Sequence, residues 1–316
     1  MINRNNISPA FESGLVITIA VILGLISIYL PIIGAMVDFF WAVPFTVLSI
    51  RSGIKKAALT LCATIILLSF LVGSILTIRL ALSFGLAGLA LGFAIQNHFG
   101  AVKTFMLTLM VSFAAQVLAT MILLFAMNVN ILDNQIQMVR ESFAETFALY
   151  ESLGVSEMEI EQAKSQIEPA ISAMSLLMPT FLLLMALINT AACFYTVKWL
   201  LPKIGLQISD FPRFSEWRFP IAFFYLMILS LLGLYWGSTR DLTLLYTVSI
   251  NANIMALFVG FIQGLAVLSS VADHYEISKL VRRLLFVVLI LNFMMFQIVS
   301  FVGLFDMYFD YRRYFR

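Results

Sequence analysis

The stretch GLVITIAVILGLISIYLPIIG, residues 14–34, contains no charged residue. The hydrocarbon core of a bilayer is about 30 Å thick, and a helix crosses it with roughly 20 apolar residues. The run is long enough to span. It is too long for the core of a signal peptide and no A-x-A-like cleavage site follows it, so it reads as an uncleaved first span. The same texture extends outward along the chain. Of 316 residues, 62% are hydrophobic and 11% charged, against about 25% charged in a soluble domain. Mean hydropathy is +1.00. Only helices and closed barrels satisfy their backbone groups in lipid, and these runs do not alternate as barrel strands must. The expected architecture is all-α: a polytopic transmembrane helix bundle of eight or nine spans, one integral membrane domain over residues 1–316.

Apolar runs read as spans at 14–34, 35–50, 57–77, 80–95, 104–128, 171–201, 219–236, 242–271 and 284–305. The second is short and holds Asp38, Trp41 and Pro44, the pattern of a tilted or broken span. With the N-terminus inside, the inner loops carry Arg51, Lys55, Lys56, Lys103, Lys198, Lys203, Arg213, Arg218, Lys279, Arg282 and Arg283. The outer loops then carry only Arg79, Arg140, Lys164 and Arg240. The positive-inside rule favours this orientation, with the N-terminal Arg4 cytoplasmic. Nine full crossings would leave the basic tail, with Arg312, Arg313 and Arg316, outside. An incomplete second span, a break in span eight or an exceptional tail would each resolve that conflict.

One acidic segment, 130–170, interrupts the apolar texture. Asp133, Glu141, Glu145, Glu151, Glu157, Glu159, Glu161 and Glu168 face only Arg140 and Lys164. Ile136, Val139, Phe143, Phe147 and Tyr150 recur at one face of an amphipathic helix. Gly154 supplies a stop. Ser156 and Glu159 then form a capping box, with Val155 and Ile160 at the staple positions. The segment reads as an extracytoplasmic helical hairpin between spans five and six: a lid, a docking arm or a solvated cap. So few bases give it little attraction for anionic lipid.

Polar groups inside a membrane are costly and mark candidate sites. They are Asp38, Gln116, Asn189, Asn251, Asn253, Gln263, Asn292 and Gln297. Amides also act as interhelical glue, worth about 0.6 kcal/mol each. On a regular helix Asn253 and Gln263 stand about 80° apart, while Asn251 is about 160° from Asn253. All three share a cavity only if span eight is unwound there. Small-residue stripes at Ala81, Gly85, Gly88 and Gly92, and at Ala20, Gly24 and Ser27, allow close helix approach.

No G-x-S-x-G, H-E-x-x-H, Walker or dinucleotide motif occurs, so neither an enzyme nor a cofactor or metal site is expected. Cys62 and Cys193 fall mid-span and read as buried small hydrophobes. A net charge of +2 with no densely basic loop excludes nucleic acid as a partner.

Two functions fit. In the first, the chain is a small-solute binding and transport subunit. Asp38, Trp41, Asn251, Asn253 and Gln263 line its pocket, and the acidic hairpin favours a cationic or neutral polar solute. In the second, it is a non-transporting scaffold or assembly factor. Its anchors are Phe211, Phe214 and Trp217 in loop 202–218, together with tail residues Asp306, Asp310 and Arg313, spaced along one helix face.

Six segments carry a family resemblance: FESGL at 11–15, RSGIKK at 51–56, LGVSEME at 153–159, FPRFSEWRFP at 211–220, FIQGLAVL at 261–268 and GLFDMYFDYRR at 303–313. Together, in this order, they resemble the YybS-like family of uncharacterised bacterial membrane proteins. The resemblance implies a multi-pass protein of the bacterial inner membrane. That family is distantly similar to the S-components of energy-coupling factor transporters, which capture vitamins or metal ions. S-components dock through small residues of their first helix onto a transmembrane coupling protein driven by ATPase subunits. The likeness implies a docking pair at Ala20 and Gly24, with glycine where the second alanine would stand. The added hairpin and the larger number of spans depart from that pattern.

Overall fold

A chain this apolar must satisfy its backbone groups within its own segments, and in the computed structural model no strand occurs among the described residues, 9–127 and 131–315. Arg4, Asn128, Asn130 and Arg316 lie outside them. In chain order the helices are α1 (Pro9–Tyr29), α2 (Pro31–Val37), α3 (Ala42–Ser52), α4 (Ile54–Val72), α5 (Ser74–Leu80), α6 (Leu86–Gln96) and α7 (Ala101–Met127). Then come α8 (Ile131–Ser152), α9 (Glu157–Ala173), α10 (Met178–Leu200), α11 (Ala222–Thr239), α12 (Thr243–His274), α13 (Lys279–Leu291) and α14 (Phe293–Phe309). Among the described residues, seven segments are long and apolar enough to cross a membrane: Ala10–Tyr29, Ile54–Val72, Ser74–Gln96, Ala101–Phe125, Met178–Ile204, Ala222–Thr239 and Thr243–His274. An eighth is added if α13 and α14 form one broken span.

Breaks in the spans match the sequence expectation at 35–50, depart from it at 284–305, and are absent from span eight, where a shared cavity required one. The run 35–50 is broken into α2, a tight turn at Asp38–Trp41, and α3. The run 284–305 is broken at Asn292, where α13 and α14 bend by 107°. Asn292 is extended (φ −101°, ψ 111°), and its side-chain oxygen accepts from the Met295 N–H to cap α14. A short amide able to serve the backbone in this way favours a helix start over a helix interior. Span eight shows the reverse: α12 runs unbroken for 32 residues, with no unwinding at Asn251 or Asn253.

The chain divides into two compact units. The first comprises Met1–Asn134 and Phe181–Asp210. Its centre is α3 packed on α6, with Trp41, Phe45 and Leu48 fully buried. The Ala81–Gly92 stripe makes this possible. A Cβ on Gly88 would strike the Ala42 carbonyl, and one on Gly92 would strike Ser49 and the Thr46 carbonyl. Gly24 of α1 likewise takes the Leu68 side chain of α4 where its own Cβ would be. Gly53 and Gly73, at φ 88° and 92°, make the turns on either side of α4. Cys193 is buried, but Cys62 is exposed on α4, so the expectation of two buried cysteines holds for one. An outward position on a spanning helix is covered by lipid, which accepts a thiol as readily as a core does.

The second unit comprises Gln135–Thr180 and Phe211–Arg316. Here α12 is the axis. A Cβ on Gly233 or Gly237 of α11 would strike Ser249 or Tyr246 of α12. On another face, Gly260 and Gly264 of α12 meet Gly303 and the Val299 carbonyl of α14. Met227, Ala256 and Leu304 form one buried cluster, and Phe261, Leu265 and Val299 another. In α8 and α9 the capping box forms in full: the Ser156 side chain accepts from the Glu159 N–H, and the Glu159 carboxylate accepts from the Ser156 N–H. Gly154 turns the chain just before it at φ 87°, and Arg140 pairs with Glu168 across the hairpin at 2.6 Å.

Filling the closest contact should be costly. Gly303→Val places three extra carbons against the Gly260 carbonyl, and forced overpacking costs about 1–3 kcal/mol. Thermal unfolding of the variant in detergent should show a clearly lowered midpoint. Gly14→Val, with open space around its Cβ, should leave the midpoint near that of the parent.

Candidate functional site

Because Gly260, Gly264 and Gly303 bring α12 and α14 into backbone contact, long polar side chains on the two helices reach each other. Gln263 and Asp306 are 2% and 4% exposed, and Arg312 of the tail is 2% exposed. Gln263 Nε2 donates to Asp306 Oδ2 at 2.6 Å. Its Oε1 accepts the Phe219 N–H at 3.1 Å, at the entrance to α11. Arg312 Nε donates to the same Asp306 Oδ2 at 3.2 Å, and Arg312 Nη1 donates to the Ser215 carbonyl at 2.7 Å. The Ser215 side chain in turn hydrogen-bonds Asp273, which takes the Arg282 guanidinium at 2.6 Å. One polar chain therefore links loop 211–219, the second half of α12, the start of α13, the end of α14 and the tail.

The tail is folded back for a local reason. Asp310 ends α14 in the left-handed conformation, φ 49° and ψ 56°, which short polar side chains tolerate best after glycine. The reversal returns Arg312 to Asp306. It also sets Asp310 against Arg218, whose two terminal nitrogens donate to its two oxygens at 2.9 and 3.2 Å. Arg313 Nε adds a third bond at 2.9 Å. Burial pushes the Asp310 carboxyl up, but hydrogen bonds from Arg313 and Arg218 and their charges outweigh it and hold the group below its ordinary 3.8. Burial draws the Arg312 guanidinium down from its usual value, against the opposing pull of Asp306. It remains a cation, as arginine does in proteins. Two buried atoms, Asp306 Oδ1 and Arg312 Nη2, have no hydrogen-bond partner among the described residues.

The aromatics of the loop hold it together. Trp217 packs against Phe211 and Phe214 at 5.6 and 5.2 Å between centroids, and its Nε1 donates to the Pro212 carbonyl. Phe214 reaches Phe286 of α13 at 6.2 Å. All three rings are half-buried, so Phe211 and Trp217 stiffen the loop and present only an edge.

The residues expected to line a solute pocket fall into separate hydrogen-bonded sets. In the first unit Asp38 accepts from the Ser27 hydroxyl, and the fully buried Trp41 donates from Nε1 to the Ala20 carbonyl at 2.7 Å. In the second unit Asn251 accepts from the Thr180 N–H and hydroxyl, and its nitrogen donates to the carbonyls of Leu176 and Thr247. Asn253 donates to the Ser230 hydroxyl. Gln263 is the amide that joins the loop and the tail. Ala20 is fully buried, and both Ala20 and Gly24 face the interior of their own unit. Asp306, Asp310 and Arg313 do not continue one helix face, because α14 ends at Phe309. Asp306 and Asp310 instead serve two adjacent clasps.

Sequence reasoning missed Arg312, Arg218 and Ser215 as partners. Arg312 counted only as a tail charge, and nothing in its spacing signals the left-handed turn that buries it. A signal did exist in the segments 211–220, 261–268 and 303–313, three of the six that carried the family resemblance. The structure joins them in this one network.

Comparison with known proteins agrees with the membrane reading. The family described as "Predicted membrane protein (DUF2232)" matches residues 18–307. The "Uncharacterized protein YybS" of Bacillus subtilis (strain 168) is 25% identical over 261 residues, which cover 81% of each chain. No solved structure matches the chain.

Removing one member of a buried ion pair strands the other, at a cost of about 3–5 kcal/mol, whereas replacing both by apolar groups is often neutral. Asp306→Ala should therefore be severely destabilising in thermal or denaturant unfolding. The double variant Asp306→Leu with Arg312→Met should recover most of that loss. A single variant within about 1 kcal/mol of the parent would remove the pair from the framework. At the surface clasp, a depressed carboxyl keeps its contribution above the ordinary 3.8 and loses it as the pH falls below that value. Proteolysis of the tail should accelerate only in that acid range.

Proposed function

This chain belongs to the DUF2232 family of predicted membrane proteins, and on that footing we propose that it is a non-enzymatic scaffold that docks a partner protein at the membrane surface. One observation carries the reading. Loop 211–218 and the tail, 92 residues apart at Arg218 and Asp310, are clasped into one stiff surface by a two-bond ion pair and by the buried Arg312–Ser215 bond. A scaffold needs a docking face that is ordered before the partner arrives, since ordering costs are then already met. Around the clasp, Arg313 is 78% exposed, and Tyr308 and Phe309 are 52% and 55% exposed. Arginine and aromatic side chains are the types that most often anchor protein interfaces. The positive-inside distribution puts this face in the cytoplasm.

The reading as a solute-binding subunit resembling an S-component, with a coupling protein and ATPase subunits as partners, draws on a different feature. A shallow cleft of about 290 Å³ opens at the turn between α11 and α12, lined by Gly237, Ser238, Asp241, Thr243 and Tyr246. Its carboxylate suits a cationic solute. The scaffold reading is the better supported. The amides that a transport site would use, Asn251, Asn253 and Gln263, are occupied by hydrogen bonds within the second unit.

The test is affinity recovery from native membranes with the full chain and with a chain ending after Phe309. The scaffold reading expects a reproducible protein partner with the former and at least tenfold less with the latter, at equal membrane levels. Undiminished recovery with the shortened chain overturns it. Copurification of ATPase subunits with either chain would move the assignment to transport.

A further inference from the structure

After α1 the chain returns along it in two pieces. Gly34 stands against the Ser27 carbonyl, Trp41 Nε1 donates to the Ala20 carbonyl, and the Ser52 hydroxyl donates to Glu12 at the far end. Residues 31–52 therefore traverse the length of α1 in reverse, and α1 is long and apolar enough to cross a membrane. The return is made of α2 and α3, joined by the 3-10 turn Asp38–Trp41. Between the Ser27 and Ala20 contacts, Asp38 falls level with Leu23, roughly 9 Å short of the end of α1 at Tyr29. A second irregular turn faces it. The span Ser74–Gln96 contains a π-helical turn at Ala81–Gly85. The Phe39 and Phe84 rings meet edge to face at 5.8 Å, and a Cβ on Gly85 would meet the Trp41 ring. π-turns inside helices are frequent at functional sites, and membrane proteins place ion sites at helix breaks near the midplane.

Asp38 is the ionisable group at this break, and it is half-buried. Its Oδ1 accepts from the Ser27 hydroxyl. Among the described residues its Oδ2 has no hydrogen-bond partner, and no ion pair holds the carboxylate. The side chains exposed beside it on α2, Ile32, Ile33 and Met36, are apolar, so that face meets lipid. An ionised carboxylate left unpaired in such a setting is costly enough to take up a proton instead. The charged and titratable groups that act on Asp38 are Arg79 of α5 and the buried Cys193 of α10. Arg79 is within reach of its field but forms no ion pair with it, nor with any other carboxylate among the described residues.

We propose that Asp38 is a proton-binding site within the membrane, neutral while it holds the Ser27 hydroxyl and ionised when it turns to the Arg79 guanidinium. The proton sits on Oδ2, the oxygen left free. On release it passes to water at the Tyr29 end of α1, the nearer one, and the charge left on the carboxylate is neutralised by Arg79. The turn between α2 and α3 permits the exchange, because 3-10 hydrogen bonds are poorer than those of an α-helix. All of these residues belong to the first unit and the clasp to the second, so the site stands whether or not the scaffold reading holds.

The experiment uses the full chain in lipid nanodiscs. Infrared difference spectra, parent minus Asp38→Asn, isolate the carbonyl stretch of a protonated Asp38. Asparagine keeps an oxygen for the Ser27 hydroxyl, so the variant retains the contact of the neutral form. A carboxylic-acid band that fades with a single midpoint as the pH rises supports the site. A carboxyl that stays ionised, or stays protonated, at every pH at which the protein remains folded overturns it. In Arg79→Gln the ionised form loses its partner, and the midpoint should move to higher pH by about one unit or more, a roughly tenfold change in proton affinity. Arg79→Lys, which keeps the charge, should restore the parent midpoint. An unchanged midpoint in folded Arg79→Gln overturns the exchange of partners.

Discussion

Both units rest on backbone-to-backbone contact between helices at positions that lack a Cβ. Lipid tails are as apolar as leucine, so helices in a bilayer gain little by merely hiding apolar side chains from one another. Close approach supplies the dispersion and polar contacts that hold them together instead. Gly88 and Gly92 admit the carbonyl ridge of α3, and Gly260, Gly264 and Gly303 let α12 and α14 meet. Each contact includes a backbone carbonyl among its nearest atoms, and a carbonyl cannot rotate away as a side chain could.

In the second unit this contact sets the polar architecture. Only because α14 lies so close to α12 can Gln263 reach Asp306, and only because Asp306 is there can Arg312 be buried. Taking a carboxylate and a guanidinium out of water costs several kcal/mol per ion, and their attraction repays it only with good geometry and further hydrogen bonds. Here the amide of Gln263 and the carbonyl of Ser215 supply those bonds, while Asp306 Oδ1 and Arg312 Nη2 go without. An arrangement of this kind contributes little net stability. What it does is connect: Gln263 of α12 meets Asp306 of α14, and Arg312 joins that pair to the Ser215 carbonyl of the loop.

Much of this was legible in the sequence. The all-helical membrane class, the capping box at Ser156 and Glu159, and the small-residue stripe of the α3–α6 contact were read from spacing and composition, and the family resemblance from six segments of the chain. The site was legible only in pieces. Gln263, Asp306, Asp310 and Trp217 were each singled out, but under two rival functions, because sequence distance hides that a loop and a tail 92 residues apart are clasped together. Amides that looked free for a ligand turned out to be bonded to neighbours that no periodicity could identify, such as Thr180 for Asn251 and Ser230 for Asn253.

What the sequence by itself determined is the solvent and the element: unalternating runs of some twenty uncharged residues fit lipid, and fit it as helices, since only helices and closed barrels satisfy the backbone there and barrel strands alternate. What only the tertiary structure decided is where those helices stop being straight and which polar groups meet. Asn292 could have continued a helix or capped a new one, and the capping bond to Met295 settled it. Asp310 could have extended α14 or reversed the chain, and its left-handed turn, secured by Arg218, settled that. The first choice is settled by a partner three residues away, the second by one 92 residues away, which no local pattern could reveal.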